Sequence, residues 1–319
     1  MAIKINDLNE LQGVKHENYL FSIEGDRIKA FNSKEKTEIY FDLNVKRRFK
    51  TAEAIEKHTG LKIELENLSD RELLAFIESK GFNKTLWNPI GKAMHKYNMI
   101  EAGDSIAVGV SGGKDSLTTI NALVRIKKIV NFDFEIIPIH IHPSTDSSSY
   151  NKTEDYCKKM GLELQVFETD LQNLLFEEKK EKNPCFLCGR IRRGMLYRIM
   201  KEQNINKLAL GHHKDDIIET FLMNVFYQGN MNVMKPAYYS KDYGVMVIRP
   251  LSFVEEKNII RYVRKTNLPI LKSECAYETN ENSRRLRVKN IITDLSKENS
   301  EIRSVMLNSI KDLLEEKDL

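Results

Sequence analysis

The amino-acid sequence predicts an α/β protein, a doubly wound and mostly parallel sheet preceded by a small N-terminal α+β module. Two observations carry this. From residue 90 onward, short apolar strand-like segments alternate with helical ones, a rhythm that builds a parallel sheet covered on both faces. Ahead of them, residues 18–43 alternate apolar and polar positions around the turn signals EGD and NSKEK, the pattern of a small antiparallel meander.

Taken in order, the meander is followed by TAEAIEKHTG, with a Thr to cap a helix and a Gly to stop it. SDRELLAFIESKGF repeats those signals with apolar residues near helical spacing. LWNPIG reads as a linker, because Pro89 disfavours helix at Asn88, and the N-terminal module is therefore expected to occupy residues 1–88. SIAVGV, FEIIPIHI, LELQVFE, KLALGHH and VMVIRPL are the expected sheet strands of a second domain, residues 89–275, and a basic, helical extension of residues 276–319 follows it. A length of 319 residues exceeds a typical single domain, in keeping with this division. In such a sheet the ligand lies beyond the carboxyl ends of the strands.

Composition narrows the function classes. With 41% hydrophobic and 30% charged residues, the chain is too apolar for wholesale disorder. No apolar run approaches the ~18 residues that cross a bilayer, and MAIKINDLNELQG lacks the apolar stretch of a secretory signal, so a cytoplasmic protein without a membrane partner is expected. The net charge of +4 makes any nucleic-acid surface a local one. Basic clusters stand at Lys46, Arg47, Arg48 and Lys50, at Arg190, Arg192 and Arg193, and at Arg284, Arg285, Arg287 and Lys289; each taken alone also suits a solvated face. Four cysteines are too few for a disulfide-built fold, and clustered thiols in a reducing compartment bind metal or do chemistry.

SIAVGVSGGKDS places a glycine-rich loop between a buried strand and the helical LTTINALVRIKK, where backbone N–H groups and a helix N-terminus form an anion site. Spacing excludes a Walker A loop: Gly109 and Gly113 enclose three residues rather than four, and Asp115 follows Lys114 where Ser or Thr is required. Gly109 does not begin a G-x-G-x-x-G either. The segment S-G-G-K-D-S resembles the PP-loop of the ATP pyrophosphatase superfamily, which implies an adenine nucleotide alpha hydrolase-like fold and cleavage of ATP between its α and β phosphates. Gly112 and Gly113 let the backbone approach phosphate oxygens, Ser111 and Ser116 donate hydroxyls, Lys114 offsets phosphate charge and Asp115 suits Mg²⁺. The competing reading is a solvated glycine turn.

NPCFLCGRIRRGMLYR sets Cys185 and Cys188 at the mouth of a helix, where its dipole and Arg190, Arg192 and Arg193 favour thiolates. A single C-x-x-C is ambiguous among zinc, a redox pair and iron–sulfur ligation, and a zinc ribbon needs a second pair that the sequence lacks. Cys275 is the one later cysteine; three thiolates suit a [4Fe–4S] cluster with one open iron. The alternative makes Cys275 a small buried hydrophobe and the C-x-x-C a redox pair, and Cys157 suits core packing. LALGHHKDDIIET is a strand running into His212, His213, Asp215 and Asp216 at another carboxyl end, beside the glycine loop. The adjacent carboxylates suit Mg²⁺ or proton steering, helix capping being the alternative, and His212 suits a hydrogen-bonded core histidine.

In order and in kind these residues resemble the tRNA 2-thiocytidine synthetase family: YNMIEAGDSIAVGVSGGKDSL, PCFLCGRIRRGMLYR, ALGHHKDDIIETFLMNVFYQGNM and VIRPLSFVEEKNIIRYV, covering about residues 90–275. The resemblance implies an ATP-dependent tRNA sulfurtransferase. A pyrimidine carbonyl is adenylated with release of pyrophosphate, and sulfur displaces AMP. It implies ATP and Mg²⁺ at residues 111–116, with Asp215 and Asp216 as further catalytic carboxylates, Gly211 and Asp216 as nucleotide contacts and adenine against backbone near Ile139, His140 and Ile141. It implies a [4Fe–4S] cluster on Cys185, Cys188 and Cys275, and Arg192 is assigned to developing phosphate charge. Its partners are tRNA and a sulfur donor, either a cysteine desulfurase or free sulfide, and a homodimer is expected.

The family commonly carries a second cysteine pair after the last strand, where this chain has Cys275 alone. The N-terminal module is longer than the family's lead-in, and its basic cluster suits contact with RNA backbone. Rival readings are thiolation of uridine, a PP-loop enzyme with ammonia or lysine as nucleophile, which leaves the paired cysteines without a task, and a non-catalytic cluster sensor, against which Lys114, Asp115, Asp215 and Asp216 argue together.

Overall fold

The computed structural model describes residues 2–43, 48–65, 80–142, 150–170, 184–266, 268–271 and 284–315. It comprises two compact units, Met1–Phe76 with Arg261–Leu268, and Ile77–Ile260 with Pro269–Leu319. Among the described residues no helix is long and apolar enough to cross a membrane.

In the first unit, β1 (Ala2–Ile5) pairs in parallel with β6 (Lys62–Leu65), and β2 (Lys15–His16), β3 (Tyr19–Glu24), β4 (Arg27–Asn32) and β5 (Thr37–Asp42) form the antiparallel meander, followed by α1 (Arg48–Thr59). The register sets Phe21 opposite Ala30 and Ile28 opposite Phe41. These residues therefore share one face and close a core with Leu8, Leu11, Ile55 and Leu61. Lys46 and Arg47 lie outside the described residues, as does most of the helix expected in SDRELLAFIESKGF; Arg48 and Lys50 open α1.

The expected linker LWNPIG is helical instead. A wide helical turn over Asn83–Trp87 runs into α2 (Asn88–Lys96), with Leu86 and Trp87 buried. Pro89 sits in the first turn of α2, where its missing N–H is not needed and its fixed φ suits a helix, so it starts the element rather than breaking it.

The chain then alternates β7 (Ser105–Gly109), α3 (Lys114–Lys127), β8 (Glu135–His142), α4 (Asn151–Lys159), β9 (Gln165–Glu168), α5 (Pro184–Glu202), β10 (Lys207–Ala209), α6 (Lys214–Gln228), β11 (Ala237–Ser240), β12 (Val245–Ile248) and α7 (Glu256–Thr266), all in the second unit except the part of α7 from Arg261 on. Three helices end the described chain: α8 (Arg284–Glu298), α9 (Ile302–Ser309) and α10 (Lys311–Glu315). The sheet order is β11-β12-β10-β7-β8-β9, parallel throughout except for the antiparallel edge strand β11. From β7 the chain steps outward to β8 and β9, then returns to β10 and steps outward the other way to β12. The order thus reverses between β7 and β10, the switch point where a crevice opens beyond the strand ends.

Ile106, Ala107 and Val108 are consecutive and all fully buried, as a strand covered on both faces requires. Tyr197, Ile199 and Met200 of α5 pack on Ala107, Ile139, Leu208 and Val247. Val288 and Ile292 of α8 pack on Ile218 of α6, and Ile310 and Leu314 pack on Ile217. Each fully buried aliphatic side chain contributes about 1.5–3 kcal/mol, which ties the C-terminal helices to α6 and brings their basic residues to the sheet's carboxyl edge.

Candidate functional site

β7 delivers the chain into a loop whose geometry depends on glycine. Gly112 has φ +77, and a Cβ there would stand 2.4 Å from the Leu271 side chain, whose own N–H donates to the Gly112 carbonyl at 3.0 Å. Gly113 begins α3 with an extended backbone and no side-chain cap. The first-turn N–H groups of α3 have no intrahelical partner, and together they make an anion cradle. Around it the Ser116 hydroxyl donates to the Gly113 carbonyl at 2.9 Å, the Ser111 and Ser116 hydroxyls lie 3.3 Å apart, and the Gly113 N–H donates to the Ser111 hydroxyl at 3.2 Å.

Lys114 Nζ stands 2.9 Å from Asp115 Oδ2 and 3.1 Å from Glu256 Oε1. Burial opposes its charge, but the two carboxylates outweigh burial and hold Lys114 above its ordinary range. Burial pushes Asp115 up against the pull of Lys114 and His213, and its buried Oδ1 accepts no hydrogen bond. Glu256 is held down at about 2: burial is outweighed by Lys289 and Lys114. A buried carboxylate oxygen with nothing to accept fits a hard cation such as Mg²⁺.

The neighbouring strand end is fitted against this loop by Gly211. A Cβ at Gly211 would lie 2.8 Å from the Asp115 carbonyl carbon and 3.0 Å from the Ser116 nitrogen, so only glycine lets β10 meet the start of α3. His213 caps α6 in a reciprocal box: Asp216 Oδ2 accepts from the His213 N–H at 2.9 Å, and the Asp216 N–H points to His213 Nδ1 at 3.4 Å. His213 Nε2 faces Asp115 Oδ1 at 3.9 Å. His212 is half-buried and accepts from Arg249 Nε at 3.3 Å; desolvation and the Arg249 charge push it down to about 3, so it stays neutral.

Asp215 and Asp216 are both engaged by protein donors. Asp215 Oδ2 accepts the Glu256 N–H at 2.7 Å, capping α7, and its Oδ1 accepts from Arg303 Nε at 2.5 Å. Asp216 pairs with Arg285, whose Nε also reaches Glu219 at 2.8 Å, and Lys289 pairs with Glu256 at 2.6 Å. Glu256, Glu219 and Arg303 were not among the sequence candidates. The available signal was the Arg284–Lys289 cluster, where Arg285 and Lys289, four apart on α8, face the edge together.

At the end of β8, the Ile139 carbonyl accepts from the Val110 N–H at 2.8 Å, and the Ile141 carbonyl accepts from Arg192 Nη2 at 3.1 Å. His140 Nδ1 donates to the Val110 carbonyl at 2.7 Å and its Nε2 lies 3.3 Å from His142 Nδ1. Burial pushes His140 down to about 4, with Arg192 and His142 adding to it, so the neutral ring holds the strand to the loop. Arg192 brings α5 to this edge. Cys185, Cys188 and Arg192 recur at helical spacing along α5, and Cys188 is half-buried. Cys185 is described by its backbone alone and Cys275 lies outside the described residues. Cys157 is fully buried, and burial pushes its thiol up to about 12, consistent with a packing role.

A family model described as the PP-loop domain matches residues 85–295. A protein of Geotalea uraniireducens named tRNA-cytidine(32) 2-sulfurtransferase is 35% identical over 238 residues, covering 74% of this chain and 94% of that protein. A tRNA-cytidine(32) 2-sulfurtransferase 1 of Francisella tularensis is 34% identical over 248 residues, covering 77% and 91%. Among solved structures, the U34-tRNA thiolase NcsA from Methanococcus maripaludis with its [4Fe-4S] cluster superposes with a TM-score of 0.60 at 21% identity, covering 82% of this chain and 87% of that one, a likeness of fold.

Proposed function

The chain belongs to the PP-loop family and, within it, to the tRNA-cytidine(32) 2-sulfurtransferases, and from that premise we propose that it uses ATP to exchange the C2 oxygen of cytidine 32 in tRNA for sulfur. The observation that carries the reading is the uncapped start of α3 at the β7/β10 switch point, with Lys114 and Asp115 on it and Gly211 packed against it.

In the proposed reaction the first-turn N–H groups, Ser111, Gly112, Gly113 and Ser116 hold the phosphates, and Lys114 balances their charge. Asp115 Oδ1 would take Mg²⁺, which screens the phosphates when bound. The cytidine O2 attacks the α-phosphorus, the bond to pyrophosphate breaks, and Arg192 and Lys114 steady the negative charge that develops there. A ring oxygen is a poor leaving group. As the AMP ester it departs readily, so a sulfur nucleophile adds at C2 and expels AMP. Gly211 and the backbone of residues 139–141 bound the nucleotide side of the crevice.

Cysteines three residues apart in one helix, followed by Arg190, Arg192 and Arg193, suit a soft metal cluster, and Cys185, Cys188 and Cys275 would hold a [4Fe–4S] cluster that supplies the sulfur-bearing centre when bound. The thiolates must stay reduced, so a cytoplasmic setting belongs to the proposal. So do a desulfurase or free sulfide as donor, a homodimer, contact between the module of residues 1–88 and RNA backbone, and the division at 89–275 and 276–319.

The test is anaerobic incubation of the full chain with unmodified tRNA, ATP and sulfide, followed by nucleoside mass spectrometry and AMP measurement. Equal amounts of 2-thiocytidine and AMP are expected. AMP release without any thiolated nucleoside, or neither product, would overturn the reading.

A further inference from the structure

Beyond the carboxyl end of β12 lies a cavity of about 430 Å³ that the phosphate site does not use. Its apolar walls are Val233, Met234 and Leu313, and its polar ones are Lys235, Tyr238 and Arg249. Among the described residues no carboxylate lines it. Arg249 is only 6% exposed, yet its contacts are neutral: Nη1 donates to the Lys235 carbonyl at 2.5 Å, Nε to His212 Nδ1 at 3.3 Å, and the guanidinium carbon lies 5.3 Å from the centre of the Tyr238 ring. Burying a guanidinium without an acid costs several kcal/mol, an expense that an incoming anion or carbonyl acceptor offsets.

The surroundings point to RNA. Phe226, Tyr227 and Met231, at the end of α6 and in the turn after it, are large apolar side chains exposed to solvent, and Arg284 lies over the Tyr227 ring at 5.0 Å. Exposed aromatic rings beside cations stack unpaired bases and attract phosphates. The cavity also adjoins the reaction edge: Arg249 touches His212, which follows Gly211, the residue packed on the Asp115 backbone. Chemistry on a base inside a stack requires that the base leave it.

We propose that this cavity receives the target pyrimidine nucleotide of the tRNA in an unstacked state, with its ring between the apolar walls and Tyr238 and its phosphate or base carbonyl met by Arg249 and Lys235. The inference rests on the function proposed above and adds the place where the substrate base is held. A cavity of this size accommodates one nucleotide, not a duplex step.

The experiment uses the full chain and a tRNA carrying the fluorescent cytidine analogue pyrrolocytidine at position 32, quenched when stacked, together with thiolation assays on ordinary tRNA. Wild-type protein is expected to raise the fluorescence several-fold. Asn232→Trp and Val233→Trp, which fill the cavity from its rim and its wall, should abolish that rise and cut 2-thiocytidine formation at least about tenfold with ATP binding unchanged. Lys235→Gln should weaken tRNA binding and lower the salt slope by about one. Should Val233→Trp fold poorly, Asn232→Trp, whose parent side chain is exposed, carries the test alone. Wild-type thiolation without a fluorescence rise, or full thiolation by the filled variants, overturns the cavity assignment and leaves the proposed activity standing. Wild-type protein that makes no 2-thiocytidine overturns both.

Discussion

Two helices start side by side at the carboxyl edge of the sheet, and they start differently. α6 is closed by its own residues: His213 and Asp216 exchange contacts, and Arg285 and Arg303 neutralise the acidic first turn. α3 has Gly113 at its cap and no side-chain acceptor, so its first N–H groups face outward. The same backbone chemistry yields a structural terminus where side chains satisfy it and a binding site where they do not. Gly211 locks the two together, since its missing Cβ is what allows the β10 end to touch the α3 backbone.

This contrast is sharpest in what mutation does to turnover and to stability. Lys114→Met removes the cation of the open start and is expected to lower AMP release by about 10²–10³-fold. Rapid-quench assays check it, and a fall under tenfold would place the phosphates elsewhere. Gly211→Ala forces the two starts apart by a fraction of an ångström; a loss near 10²-fold in AMP release is expected from misplacement on that scale, with a lower melting temperature in the same sample.

Acid should loosen the open side through His140. Its ring is held down at about 4 when folded, against an ordinary 6.5. Between those values the unfolded chain binds the proton and the folded chain does not. Stability therefore rises with pH across that window, is fully present above about 6.5, and falls by about 2 kcal/mol between pH 7.5 and 5. His140→Gln should flatten that part of the melting profile. The smallest effect is expected at the closed start. His213→Ala should cost about 1 kcal/mol of stability, the worth of a cap, and slow AMP release less than tenfold; a larger kinetic effect would show that Nε2 acts on Asp115 during the reaction.

Much of this edge was legible in the chain itself. The strand, glycine loop and helix over residues 105–127 are written in adjacent residues, and so are the meander of residues 18–43 and the helix that begins after His213. Pro89 misled because the residue that bars a helix interior suits a helix start, and the choice depends on whether Leu86 and Trp87 are buried, which neighbours decide. The edge strand β11 went unread for a similar reason: four residues between Pro236 and a turn pair only because β12 lies alongside.

What the sequence determined by itself is what short-range physics governs: periodicity of apolar residues, glycine where a strand must turn sharply into a helix, and cysteines one helical turn apart. Only the tertiary structure decided that Arg285 and Arg303, 69 and 88 residues from their partners, would occupy Asp216 and Asp215, and that Glu256 would share Lys114 with Asp115. Ion pairs at such separations follow from the packing of α8 and α9 on α6, and packing is a property of surfaces that meet only once the chain has folded.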